Sequence, residues 1–136
     1  MTTNQSNQVQ QLNSIVLVRI APSKIAGVGV FAIRDLKKGT KLYADNIPRV
    51  FDLSYGNFSK LWPEVKQILL EQFPNIVNGS AFVWPTTRYM AYMNHSENYN
   101  YIAEDDELIK DVKAGEEITE NYRFIPGAEK VFPWLK

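Results

Sequence analysis

The sequence predicts a mostly β domain with one main helix. Short β-branched runs, broken by glycine, proline and charged turns, occupy the first third and return after residue 80. Only the stretch at roughly residues 61–72 repeats its apolar residues at helical spacing. A length of 136 residues fits one domain rather than two.

Taken in order, residues 1–14 carry Gln, Asn, Ser and Thr with little to bury, and are expected to be a disordered polar tail. They lack the basic start and apolar stretch of a signal peptide. The single domain is then expected over residues 15–136. Ile15 to Ile20 is short and β-branched and reads as a strand, broken by Pro22 and Ser23. Val28 to Ile33 is a second β-prone run, followed by the turn Lys37-Lys38-Gly39-Thr40, and Lys41 to Tyr43 begins a third. Pro63 suits a first helical position, because its φ is preset and its missing N–H is not needed there. Val65, Ile68, Leu69 and Phe73 then recur at helical spacing until Pro74 stops the run. Ala81 to Trp84 is a strand ended by Pro85. Tyr101 to Ala103 and Leu108-Ile109 form a strand pair around the acidic turn Glu104-Asp105-Asp106-Glu107. Such a charge run is most simply a solvated turn. Gly115 turns the chain into Glu117 to Tyr122, and the tail from Arg123 holds Phe132, Pro133 and Trp134.

Composition narrows the chemistry. The chain is 45% hydrophobic and 22% charged, ordinary for a globular protein. No apolar run nears the roughly 20 residues of a membrane helix, so no membrane partner is expected. Cysteine is absent, which removes disulfides, thiolate metal sites and cysteine nucleophiles. With one histidine, His95, a His-rich metal cluster is impossible and no metal is expected. Lys+Arg and Asp+Glu are both 15, so no overall basic footprint calls for direct nucleic-acid binding. A soluble, intracellular chain is expected, its compartment open.

Three islands carry the residues that can do chemistry. The first, Ala26-Gly27-Val28-Gly29-Val30-Phe31-Ala32, places two glycines between β runs, where backbone can approach a ligand closely. It also fits G-x-G-x-x-A, a dinucleotide fingerprint, but that pattern needs a helix to open at the glycines, and Val30 to Ile33 is β-prone. The second, Tyr92 to Asn100, packs Asn94, His95, Ser96, Asn98 and Asn100 into a loop that such side chains can hold by bonding backbone. The third, Gly115 to Tyr122, is a turn and a short strand ending in a tyrosine. Each alone has a bland reading: a hairpin, a structural histidine, an edge strand with an aromatic anchor.

Together, in this order, the islands resemble the SET-domain family of protein lysine methyltransferases. Ser23 to Ala32 is similar to that family's glycine-containing loop and G-V-F-A-like strand. Asn94-His95-Ser96 and Asn100 match its R-F-x-N-H-S-x-x-P-N segment. Gly115-Glu116-Glu117-Ile118 with Tyr122 match G-E-E-L-x-x-x-Y, and Leu108 to Gly115 resembles the strand and turn before it. The likeness runs over about residues 15–134.

The resemblance implies the SET fold, short curved sheets around a pseudoknot in a β-clip-like arrangement, with Asn94, His95 and Tyr122 brought together. It implies methyl transfer from S-adenosylmethionine, leaving S-adenosylhomocysteine, to a lysine of a protein or peptide, histone or other. Ala26, Gly27, Val28 and Gly29 would cradle the methionine part of the cofactor, with Asn94 and His95 beside it. Tyr122 would be catalytic, and Trp134, or Phe132, would cover the adenine. Phe82 and Tyr92 would line the lysine channel, and the helix near 61–72 would shape the substrate groove. The likeness is to short viral and bacterial members, some of which pair, so a homodimer is open.

The departures from the pattern matter. Tyr99 stands where the family has proline, Glu97 where cysteine is frequent and Ala91 where arginine is. Glu120 replaces an aromatic that influences how many methyls are added, and Ala103 falls where some members keep a channel tyrosine. They leave a second reading open, a catalytically weak or inactive SET-fold module that holds cofactor or peptide without turnover.

Overall fold

The structure, a computed structural model, describes residues 5–43, 49–73, 81–84 and 89–135. In chain order its elements are helix α1 (Gln5–Ile15), strands β1 (Val18–Pro22), β2 (Val28–Ala32) and β3 (Arg49–Asp52), and helices α2 (Tyr55–Phe58) and α3 (Pro63–Gln72). Then come strands β4 (Ala81–Trp84), β5 (Asn94–His95), β6 (Tyr101–Ile102), β7 (Glu107–Leu108) and β8 (Glu117–Glu120), and helix α4 (Ala128–Val131). Single 3₁₀ turns span Tyr89–Tyr92 and Tyr122–Phe124. Among the described residues strands outnumber helices and every strand is short, in line with the expected class. No helix of the described residues is long and apolar enough to cross a membrane.

The N-terminal expectation needs correcting. Residues 5–14, read as a disordered tail, belong to α1, and Ile15 closes that helix instead of opening a strand. Among the described residues there are thus two main helices. The reason lies in the buried set Gln8, Val9, Leu12, Asn13 and Val16, which recurs at helical spacing but mixes amides with hydrocarbon. Gln8 Oε1 accepts the Asp52 N–H at 2.8 Å and Asn13 Oδ1 accepts the Trp62 N–H at 2.9 Å. Each amide satisfies a backbone donor at the end of another element, so a polar sequence still packs. Helix α3 starts at Pro63 as expected, and buries Val65, Ile68 and Leu69. Pro74, Pro85 and residues 1–4 lie outside the described residues.

Two apolar cores result. The first joins α1, α2 and α3 to the antiparallel pair β3–β4, through Leu12, Phe51, Leu53, Leu69, Phe82 and Trp84. The second fills one face of a four-stranded sheet in the order β1-β2-β8-β5, through Val30, Ala32, Met93, Tyr101 and Ile118. In that sheet β1–β2 and β2–β8 are antiparallel, whereas β5–β8 is parallel. Strand β8 therefore runs between the segment of the first island and that of the second.

The acidic turn is more than a solvated loop. Tyr101–Ile102 pairs with Glu107–Leu108 as expected, but Asp106 sits at φ 50 with its carboxylate turned inward. It accepts the Leu42 and Tyr43 N–H groups and the Tyr101 hydroxyl, the last at 2.7 Å. Residues 41–43, read as the start of a strand, are pinned here as irregular chain.

Candidate active site

The β2–β8–β5 junction gathers the first and second islands around one carboxylate. Asn94 Nδ2 donates to the carbonyls of Ala26 and Val28, at 3.1 and 3.0 Å, and to Glu117 Oε2 at 2.8 Å. The Ser23 hydroxyl donates to Glu117 Oε1 at 2.6 Å. The Asn94 amide nitrogen is thus the group turned toward the glycine loop. Glycine is favoured at two positions. A Cβ on Gly29 would stand 2.3 Å from Glu117 Oε2 and 3.2 Å from Asn94 Nδ2, so a side chain there would evict the carboxylate. Gly27 has φ +47, and nothing lies within 4 Å of where its Cβ would be. The chain there follows a left-handed turn beside open space. The segment Val28–Ala32 is a strand, so the helix that a dinucleotide fingerprint needs is not there.

The second and third islands meet one step further on. The Tyr122 N–H donates to His95 Nδ1 at 3.0 Å. His95 must then carry its ring proton on Nε2, which faces Glu97 Oε1 at 3.4 Å. Arg123 holds Glu97 from the other side at 2.8 Å. The Tyr122 hydroxyl donates to the Met93 carbonyl at 2.6 Å. Its ring lies 5.3 Å from His95, 5.0 Å from Phe132 and 6.3 Å from Trp134, between centroids. Burial, with Glu120 and Glu117 nearby, raises the Tyr122 phenol above its ordinary pKa. Tyr122 is thus a neutral donor.

Buried Asn100 ties the junction together. Its Nδ2 donates to the Glu117 carbonyl at 3.0 Å and its Oδ1 accepts the Thr119 N–H at 2.9 Å. The side chain replaces a neighbouring strand for these two groups.

The expected site residues separate into three groups. Ala26, Gly27, Val28, Gly29 and Asn94 meet at the glycine loop. His95, Tyr122, Phe132 and Trp134 form the aromatic cluster, with Trp134 58% exposed at its outer edge. Phe82 joins neither. It is buried in the first core, its ring 5.7 Å from Phe51 and 5.0 Å from Phe73. Alternation on β4 sends Phe82 and Trp84 inward together, so the assignment to a lysine channel gives way to a core role. Tyr92 is 45% exposed on the turn directly before Met93. The sequence reading did not single out Glu117 or Ser23 as site residues. A carboxylate under a glycine is visible only once β2 and β8 are paired.

A sequence model of the SET domain matches residues 27–123. The chain belongs to the SET-domain family. Its fold is accordingly the SET fold, and the family is one of S-adenosylmethionine-dependent protein lysine methyltransferases. The match spans all three islands, from Gly27 through Asn94 to Tyr122. Among solved structures, one from Plasmodium falciparum described as a "putative histone methyltransferase" is 18% identical. That likeness covers 78% of this chain and 92% of the other, at a TM-score of 0.40. No curated protein matches this SET chain in sequence.

Proposed function

We propose that this SET chain is an active protein-lysine methyltransferase, with S-adenosylmethionine as methyl donor and Tyr122 as its catalytic residue. The observation that carries the reading is how firmly Tyr122 is held. Its backbone is bonded to His95, its hydroxyl to the Met93 carbonyl, and its ring is packed against Phe132. A residue fixed at three points can orient a reacting pair, and in-line displacement depends largely on such positioning.

The residues at the glycine loop suit the cofactor. S-adenosylmethionine brings a methyl on a positive sulfonium, a second positive charge on its amino group, and a flat adenine. The Glu117 carboxylate, held by Asn94 and Ser23, is an acceptor suited to the cationic part, and the open left-handed turn at Gly27 leaves room for it. Half-exposed Trp134, beside His95, suits a flat ring. The Met93 carbonyl and Tyr122 hydroxyl are oxygens of the kind that align a methyl group through weak C–H···O contacts. The substrate is a lysine of a protein, histone or other.

Calorimetric titration with S-adenosylmethionine tests the reading. Saturable binding, weakened in Asn94→Ala, is expected. Labelled methyl transfer to core histones or to a lysate should follow, reduced about 100-fold in Tyr122→Phe on the scale of a lost positioned donor. Binding without transfer to any lysine-containing protein would instead favour the non-catalytic module that Glu120 and Ala103 leave open.

A further inference from the structure

Glu120 has no evident structural reason to be a carboxylate. On β8, alternation puts it on the same face as Ile118, which is fully buried in the second core. Its backbone is anchored, paired with His95 across the parallel ladder, its carbonyl accepting the Ser96 N–H at 3.1 Å. Its side chain is nine-tenths buried, with 9% of the residue exposed. No hydrogen bond or ion pair reaches that carboxylate among the described residues. Tyr101 and Tyr122 are both close enough to feel its charge, yet each phenol donates elsewhere, to Asp106 and to the Met93 carbonyl. A buried carboxylate without a donor is costly, and a core would ordinarily place hydrocarbon there. Its oxygens are nevertheless not fully sealed, so the carboxylate keeps some exposure.

We propose that Glu120 is the receptor and proton acceptor for the substrate's lysine ammonium. The assignment rests on the methyltransferase reading and adds the residue that prepares the nucleophile. Lysine arrives as an ammonium, since its ordinary pKa is about 10.4. One N–H bond breaks as its proton passes to a Glu120 oxygen, leaving a neutral amine and a neutral acid. The amine lone pair attacks the methyl carbon; the N–C bond forms as the C–S bond breaks, and the bonding pair stays on sulfur as a thioether. The product is a methylammonium, and Glu120 then returns its proton to water. Burial, which raises the Glu120 pKa, makes it a better base than an exposed carboxylate. The groups around it are Tyr101 from β6, whose phenol is bonded to Asp106, Tyr122 from the following turn, and its ladder partner His95 on β5, whose Nδ1 accepts the Tyr122 N–H; among the described residues no lysine or arginine pairs with it.

The first test is substrate-independent. With S-adenosylhomocysteine bound, n-butylammonium should lower the Glu120 titration followed by carboxyl NMR, and Glu120→Gln should weaken n-butylammonium binding tenfold or more. The second is kinetic, on core histones. Glu120→Gln should lower kcat/KM about 100-fold at neutral pH and move the rise of the pH profile toward the free-lysine range. Glu120→Ala should be partly rescued by formate, which separates a lost base from a damaged fold. Equal n-butylammonium binding by wild type and Glu120→Gln, with S-adenosylhomocysteine still bound, would overturn the role of Glu120 alone. So would an unchanged pH profile. A wild-type protein that binds neither form of the cofactor would sink the methyltransferase reading and this assignment with it.

Discussion

Around Leu69 the described residues bury hydrocarbon almost exclusively, the exceptions being the two amides of α1. Around Ile118 it buries a comparable apolar set but laces the edge with Asn94, Asn100, Glu117, Glu120 and Tyr122. The first core asks only for volume and pattern, so many sequences would serve it. The second needs particular donors and acceptors, because strands of two and four residues cannot satisfy their own backbones. Side chains therefore stand in for missing strands, and the same side chains present the site. Stability and chemistry share residues in the second core and are separate in the first.

The largest effect should come from the first core. Removing residues 1–14 exposes what Val9 and Leu12 cover and frees the Asp52 and Trp62 N–H groups. Full burial of such side chains is worth about 1.5–3 kcal/mol each. The deletion should therefore cost about 5 kcal/mol, comparable with the whole stability of a small domain. Urea unfolding should show no cooperative transition for the shortened chain, while Leu12→Ala should lose about 2–5 kcal/mol. A truncated chain as stable as the full one would mean that α1 is a mere appendage. In the second core, Asn100→Ala should cost about 2–4 kcal/mol, because it strands the Thr119 N–H and the Glu117 carbonyl together. Cofactor binding should fall with it, whereas Leu12→Ala should leave affinity unchanged in the protein that remains folded.

The same contrast explains what could be read from sequence. Helix α3 was legible because Pro63, Val65, Ile68 and Leu69 state a start and a period without polar interruption. Helix α1 was not, because Gln8 and Asn13 interrupt its buried stripe, and the backbone groups they satisfy lie 44 and 49 residues away. Asn94, His95 and Tyr122 stood out as motif residues, each with a bland reading of its own, and the family likeness gave them meaning. Glu117 was legible as a motif residue but not in its role, which depends on register: β2 and β8 pair Phe31 with Glu117, and the carboxylate leans diagonally under Gly29. Phe82 misled for the converse reason, since an aromatic on a strand reads the same whether it faces a core or a channel.

A smaller effect sharpens the division inside the second core. Gly29→Ala places a methyl where the Glu117 carboxylate lies and should cost about 1–3 kcal/mol as overpacking. Combining it with Glu117→Ala should recover most of that stability, because the clash is with a side chain rather than backbone. S-adenosylmethionine affinity should not recover, since the carboxylate is then gone. If both return together, Glu117 is only a packing partner of the loop.

The smallest expected effect lies at the rim. Glu97 is held below the ordinary carboxylate range by its hydrogen bond to Arg123 and then by His95. A depressed acid contributes stability above its unfolded pKa and loses it as pH falls through the folded value. The pair is solvent-exposed, so the contribution to stability is slight and screened by salt. Arg123→Ala should move the Glu97 titration back toward 4.5 by carboxyl NMR while leaving urea unfolding at neutral pH nearly unchanged. The informative case is the His95 ring. Its Nδ1 is committed to the Tyr122 N–H, so Glu97 is the group that orients the other nitrogen. If Arg123→Ala also perturbs the His95 ring signals and slows methyl transfer, the rim pair is positioning Tyr122 through His95; if only Glu97 responds, the polar network ends at His95.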